Sequence, residues 1–423
     1  MKNELLADLE WRGLIAQTTD RAALAKDLDS GPIKFYVGYD PTAPSLHVGN
    51  LVLITVMRRF QLAGHNPIPL VGGATGLVGD PSGRSEERTL NESAIVEDWV
   101  QRIRTQLAAF LSFDGNSAAK MANNLDWTAP ISALEFLRDI GKHFSVNQML
   151  AKDSVSSRLE SGGISYTEFS YQVLQALDFL ELYRREKCVL QLGGSDQWGN
   201  IVAGLDLIRK VEGATAHAFT VPLLTKADGS KYGKSASGSI WLDPEMTSPY
   251  AFFQYWIGAE DAEVEKLLKV FSFKSRSEIE VLLQTVKVNP GAREAQRALA
   301  RELTTLVHGV DEAAQAESAA KALFGQGNLA DLNEKTLSSA LAQLPRTTIS
   351  KSDVFPTWVD LLTATGVVES KSAARRIVKE GGAYLNNEKI AGEDFAPSSE
   401  DLIFGRFLVL RKGKRDLAAV EVL

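Results

Sequence analysis

The stretch "KFYVGYDPTAPSLHVGN", residues 34–50, decides how this chain is read. It opens as a buried strand, breaks at Gly38, crosses Pro41 and Pro44, and delivers His47 and Asn50 in front of the apolar run "LVLITVMRRFQL". A strand, a rigid turn and an amphipathic helix make the first part of a parallel βαβ unit. Gly38 permits close backbone approach, and the two prolines fix the loop. His47 and Asn50, three apart, fall on one side of the helix start, and Gly49 leaves a patch without a side chain on which a flat ring can lie. Unpaired N–H groups and the positive end of the helix dipole suit a phosphate there. A plain capped turn, its histidine satisfying a carbonyl, accounts for the same residues equally well.

Outward from this stretch the alternation continues with "PIPLVGGATG" and "AIVEDWVQRIRTQLAAFL". A mostly helical insert over about 127–160 interrupts it. It then resumes with "YTEFSYQVLQALDFLELYRRE", "CVLQLGGSDQW" and "NIVAGLDLIRK", and ends at the polar loop 226–238. The pattern predicts an α/β, Rossmann-like doubly wound parallel sheet over residues 1–245, with residues 1–30 helical. Such a sheet takes its ligand at the carboxyl ends of its strands, where the strand order reverses. Residues 246–325 read as an all-α domain, 326–353 as a polar linker and 354–423 as a small α+β unit.

The 423 residues are 44% hydrophobic and 23% charged, ordinary globular composition that excludes a disordered or fibrous chain. The N-terminus has no apolar signal core, and no run approaches the roughly 20 apolar residues that cross a bilayer, so a cytoplasmic protein with no membrane partner is expected. Cys188 is the only cysteine, which rules out an intrachain disulfide and a thiolate metal cage; no protein-bound metal is expected. A net charge of −7 argues against a basic surface overall. Residues 351–423 are balanced, with 11 bases and 11 acids, and "RFLVLRKGKR" (406–415) concentrates five of the bases.

The loop "TKADGSKYGKS" brackets Gly233 with Lys231 and Lys234. Two ammonium groups on a mobile segment can close over a polyphosphate and neutralise charge that develops as pyrophosphate leaves. Alone, such a pair reads as solvated surface. On the helix "FSYQVLQALDF", Tyr171, Gln175 and Asp178 share one face at i, i+4 and i+7.

Together these motifs resemble the class I aminoacyl-tRNA synthetases, "HVGN" standing for H-I-G-H and "KYGKS" for K-M-S-K-S. "YVGYDPTAPSLHVG", "LVGGATGLVGDPSGRSEERTL", "EFSYQVLQALDF" and "LGGSDQWGNIVAGLDLIRK" are similar to the bacterial tyrosyl-tRNA synthetases, and the resemblance runs nearly the full length. It implies a homodimer, joined through the inserted helices, that activates tyrosine with ATP and Mg²⁺ and charges tRNA(Tyr). It places His47, Asn50, Lys231 and Lys234 at the phosphates as catalytic groups. Tyr36 and Asp178 fall at the phenol hydroxyl; Asp80, Tyr171 and Gln175 at the ammonium; Gln197 at the carboxylate. Gly38, Asp40, Gly49, Gly194, Asp196 and Leu224 fall around the nucleotide. Asn50 departs from the family histidine: its amide donates to an oxygen but is never cationic. Arg84 and Arg88 suit either phosphates and the tRNA end or a salt-bridged surface loop.

The last unit, "TWVDLLTATGVVESKSAARRIVKEGGAYLNNEKI", resembles the S4-type RNA-binding module. Lys371, Arg375, Arg376 and Lys379 make one basic helix face, and with Arg411 and Lys412 they form the expected RNA surface. Two alternatives stand beside a tyrosine-activating ligase: a tryptophanyl-tRNA synthetase, and a non-catalytic RNA-binding relative.

Overall fold

The computed structural model describes residues 3–82, 91–152, 155–156, 159, 163–225, 232–235, 238–351 and 354–423, without the side chains of 234 and 235. The chain divides into two compact units: Met1–Asp243 with Glu265–Ser275, and Pro244–Val264 with Arg276–Leu423. Among the described residues no helix is long and apolar enough to cross a membrane.

The first unit is built on six strands: β1 (Gln17–Thr18), β2 (Lys34–Tyr39), β3 (Asn66–Val71), β4 (Ala122–Asn123), β5 (Cys188–Gly194) and β6 (His217–Val221). Their order is β1-β6-β5-β2-β3-β4, all parallel except β1, which runs antiparallel to β6. This is the doubly wound sheet expected from the βα alternation. Residues 1–30 differ from the expectation of continuous helix. Helices Glu4–Trp11 and Arg21–Ser30 flank β1, whose pairing with β6 no local periodicity announces.

β2 is the topological centre, pairing with β3 on one side and β5 on the other, so Tyr36 lies opposite Ile68 and Gln191. The order reverses between β2 and β5, and the crevice beyond their carboxyl ends is where such a sheet binds ligands. The 127–160 insert consists of short pieces, among them Leu125–Thr128, a π-turn at Phe136–Ile140 and Val146–Leu150. Its Trp127, Ile140 and Met149 pack with Val173, Leu177 and Leu180 of the Tyr166–Glu186 helix.

In the second unit, the stretch 326–353 expected as a linker holds the helix Glu334–Leu341 and, after a two-stranded β7 (Lys234–Ser235) and β8 (Gly238–Ser239) in the first unit, the strand β9 (Arg346–Ile349). β9 joins β10 (Ala383–Leu385), β11 (Glu388–Lys389), β12 (Phe407–Lys412) and β13 (Asp416–Val422) in the order β11-β10-β12-β13-β9. Alternate residues of a strand face opposite sides, and both sides are covered. Leu408, Leu410, Ala418 and Val420 pack under Trp358, Leu362 and Ala374. Phe407, Val409, Leu417 and Ala419 pack on Ala319, Leu323, Leu337 and Leu341. One sheet thus ties the helices of 246–325 to the C-terminal module, and polar composition concealed it because β9 is an edge strand with alternating exposure.

Candidate active site

Beyond the ends of β2 and β5 lies a cavity of about 440 Å³. Tyr36, Gly38, Asp40, His47, Gly49, Asn50, Asp80, Tyr171, Gln175, Asp178, Gly194, Asp196, Gln197 and Leu224 all line it. Lys231, Arg84 and Arg88 lie outside the described residues, and of Lys234 only the backbone, in β7, is described.

The histidine turn is internally braced. His47 caps the helix Val48–Leu62: its Nδ1 accepts the Gly49 N–H at 3.0 Å, and Asn50 Oδ1 accepts the His47 N–H at 3.0 Å. With Nδ1 accepting, the neutral ring carries its proton on Nε2. A Cβ on Gly49 would stand 2.8 Å from the imidazole, so only glycine lets the ring fold back over the helix start. Asn50 therefore spends its oxygen on the backbone and keeps its amide N–H₂ for the cavity. Gly38 opens onto empty space, with nothing within 4 Å of a Cβ built there.

Gly233, one of the described residues of the 226–238 stretch, lies on this turn. Gly233 has φ +86°, and a Cβ there would meet Val48 Cβ at 3.1 Å and the Gly49 nitrogen at 3.3 Å. The flanking backbone is tied down by Tyr232 N–H to Leu224 O at 2.9 Å, Ile240 N–H to Gly233 O at 2.8 Å and Val48 N–H to Ile240 O at 3.0 Å.

At the other end, Asp178 is fully buried on the Tyr166–Glu186 helix. It accepts Trp127 Nε1 on one oxygen at 2.9 Å and Asn124 Nδ2 on the other at 3.0 Å. Burial pushes its carboxyl up to about 7, against the pull of those two donors. Tyr36 is 1% exposed and its hydroxyl has no hydrogen-bond partner among the described residues; burial and the nearby Asp178 carboxylate raise it well above an ordinary phenol. A buried hydroxyl left unpaired is costly, and a ligand hydroxyl between Tyr36 and Asp178 removes the cost.

Between these ends runs a polar network. Asp40 accepts from Thr75 Oγ1 and from Tyr171 Oη, each at 2.6 Å. Asp80 accepts Gln197 Nε2 at 2.7 Å and the Ser82 N–H at 2.9 Å. Asn200 Nδ2 donates to Gln175 Oε1 at 3.1 Å and Gln197 Oε1 at 3.4 Å. Asn124, Trp127, Thr75, Asn200 and Gln191 were not anticipated from the sequence. Gln191 alone carried a signal, as the lone amide in the buried strand "CVLQLGG"; its Oε1 has no partner among the described residues and it lines the cavity.

The predicted RNA surface comes together only in part. Lys371 pairs with Asp360 at 2.6 Å, Lys379 with Glu393 at 3.1 Å, Arg375 with Glu393 at 3.8 Å and Lys412 with Asp416 at 3.0 Å. Arg411 stacks on the Tyr384 ring at 3.9 Å and donates to Gly413 O at 2.9 Å.

Residues 28–325 match the family model of class I tRNA synthetases (W and Y), and residues 336–420 match the Tyrosine--tRNA ligase SYY-like C-terminal domain. The chain is 58% identical to a tyrosine–tRNA ligase of Streptomyces coelicolor over 421 residues, 99% of each chain, and 59% identical to that of Streptomyces avermitilis over the same length. This chain belongs to the tyrosine–tRNA ligase family. Among solved structures, a C-terminally truncated Aspergillus nidulans mitochondrial tyrosyl-tRNA synthetase is similar at a TM-score of 0.69 and 33% identity, over 76% of this chain and 94% of that one. The second family match begins at residue 336, inside the stretch expected to be a linker, in keeping with the sheet that starts at β9. A tyrosine–tRNA ligase needs a site for a phenol, one for an α-amino acid and one for ATP, and the cavity offers polar groups along its whole length.

Proposed function

We propose that the chain activates L-tyrosine with ATP and transfers it to the terminal ribose of tRNA(Tyr). The observation that carries this reading is the pairing, at one end of the cavity, of an orphaned Tyr36 hydroxyl with a buried Asp178 carboxylate. The phenol accepts from Tyr36 and donates to Asp178; phenylalanine would leave the Tyr36 hydroxyl orphaned and give Asp178 no donor beyond Asn124 and Trp127, and an indole offers no acceptor to Tyr36. The ammonium sits among Asp80, Tyr171 and Gln175, and Gln197 turns toward the carboxylate.

The first step needs no protein nucleophile, because the substrate carboxylate is already ionised. One of its oxygens attacks the α-phosphorus of ATP, the bond to the β-phosphate oxygen breaks, and pyrophosphate leaves. Gly38, Gly49 and Gly194 let the nucleotide lie against the backbone, with Asp40, Asp196 and Leu224 beside it. His47 Nε2, the Asn50 amide, Lys231 and Lys234 bear on the phosphates. Catalysis is positioning plus charge stabilisation. The Asp40 and Asp80 carboxylates accept from protein donors; Mg²⁺ arriving with ATP would add neutralising charge at the phosphates. In the second step the tRNA ribose hydroxyl attacks the tyrosyl carbonyl and AMP leaves.

The active form is a cytoplasmic homodimer, a reading supported by the exposed Leu134, Leu137, Val146 and Tyr166 on and beside the insert. The test is exchange of labelled pyrophosphate into ATP across the amino acids. Exchange stimulated by tyrosine is expected; none with tyrosine, or faster exchange with tryptophan, overturns the reading.

A further inference from the structure

The helix Lys371–Lys379 buries Ala374 and Val378 against the C-terminal module and turns Lys371, Arg375 and Lys379 outward in one row. That row is already occupied. Glu393 reaches it from the loop after β11 and sits between two of the cations, Oε1 toward Lys379 and Oε2 toward Arg375. Its loop is anchored, because Phe395 packs on the core below and its carbonyl accepts the Trp358 N–H at 2.8 Å. The carboxylate is 30% exposed while Arg375 and Lys379 are 54% and 70% exposed. The acid is sunk, and the cations keep an open side. A second set of bases has no acidic partner among the described residues: Arg376 on the same helix, and Lys414 and Arg415 on the β12–β13 turn. The two turn residues border a hollow of about 430 Å³ that Gly382, Gly413 and the acids Glu380 and Asp416 also line.

We propose that Glu393 is a built-in substitute for RNA phosphate, holding Arg375 and Lys379 in reserve while Arg376, Lys414 and Arg415 make the first contacts with the RNA backbone. The inference rests on the tRNA reading above and adds to it a division of labour. Exposed ion pairs are weak, so an arriving phosphate displaces Glu393 at small cost. Until then the acid halves the charge that the Arg375–Lys379 pair shows to any passing polyanion. The device trades affinity for selectivity: chains that reach only the turn residues do not gain the reserved pair.

The test measures binding of a tRNA(Tyr) transcript to the full chain at several salt concentrations. Glu393→Gln is compared with Glu400→Gln, which removes the same charge from an exposed residue of the same unit that pairs with no base among the described residues. Glu393→Gln is expected to tighten binding about three- to fivefold at low salt, the strength of one or two exposed ion pairs, and to steepen the salt dependence by up to about one phosphate contact. Glu400→Gln is expected to change little, and Arg376→Ala with Lys414→Ala to weaken binding about tenfold. Unchanged binding by Glu393→Gln, or an equal gain from Glu400→Gln, overturns the proposal while the tRNA reading stands. Failure of the unaltered chain to bind tRNA(Tyr) overturns that reading itself.

Discussion

The Trp127 indole donates to one oxygen of Asp178 at 2.9 Å and the Asn124 amide to the other at 3.0 Å, in the cavity wall that also carries the Tyr36 hydroxyl, which has no partner among the described residues. Trp127 therefore sets how readily Asp178 ionises. Removing a hydrogen bond to a charged group costs about 1.5–3 kcal/mol, equivalent to a pKa rise of about 1–2 units. Trp127→Phe is expected to move the pH midpoint of tyrosine binding upward by about one unit, measured by calorimetric titration. A midpoint that stays in place would remove Trp127 from this role.

The midpoint itself is a second prediction. Burial brings the Asp178 carboxyl to about 7. The phenol donates to the ionised form, so protons compete with tyrosine: affinity is full above the midpoint and weakens about tenfold per pH unit below it. Asp178→Asn is expected to abolish this dependence and to weaken tyrosine binding far more than ATP binding. Equal loss for both ligands would mean that Asp178 serves the architecture instead of the phenol.

Gly233 offers a way to separate the two ends of the cavity. An alanine there must hold φ near +86° and push against Val48, at a cost of about 1–2 kcal/mol in the left-handed region alone. The loop is expected to move off the His47 turn. Pyrophosphate exchange should slow about tenfold or more, while tyrosine binding, measured without ATP, should stay within about twofold because the phenol end lies elsewhere. A parallel fall in both would show that the loop supports the whole site.

The sequence made the first unit legible because each βα step is a local pattern, and Lys34–Asn50 alone announced the strand, turn and helix start. The same locality explains the omissions. Asn124 and Trp127 follow β4, two residues long and too short to print a period. The row Lys371, Arg375 and Lys379 was visible as a helix face, but Glu393, which occupies it, comes from a loop that only tertiary packing brings there. Gln191 could have been found, since an amide in a strand buried on both faces needs a reason.

In the second unit Arg301 grips Glu317 with two hydrogen bonds of 2.7 Å, and Lys321 adds a third contact at 3.0 Å. These cations hold the Glu317 carboxyl at about 2, below an unfolded value of about 4.3. A depressed carboxyl contributes stability that is present above the unfolded value and lost as pH falls toward the folded one. Because both cations are half exposed, the contribution is discounted to about 1 kcal/mol. Glu317→Gln should therefore destabilise the chain by about that amount at pH 7 and by almost nothing near pH 2, read from denaturant midpoints. An undiminished difference in acid would place the effect in packing.

The sheet shared across the second unit changes what a truncation should do. Ending the chain at residue 350 leaves β9 without β13, its sole partner strand among the described residues. It also strips Phe407, Val409, Leu417 and Ala419 from Leu323, Leu337 and Leu341. Each large side chain so uncovered forfeits about 1.5–3 kcal/mol of burial. The helices of 246–325 are then expected to lose cooperative unfolding and expose apolar surface, seen as dye binding and a broadened thermal transition. Lost tRNA charging in such a variant would reflect damage to those helices as well as lost RNA contacts. A sharp transition with no dye binding would instead restore 326–353 to the role of a connector between independent domains.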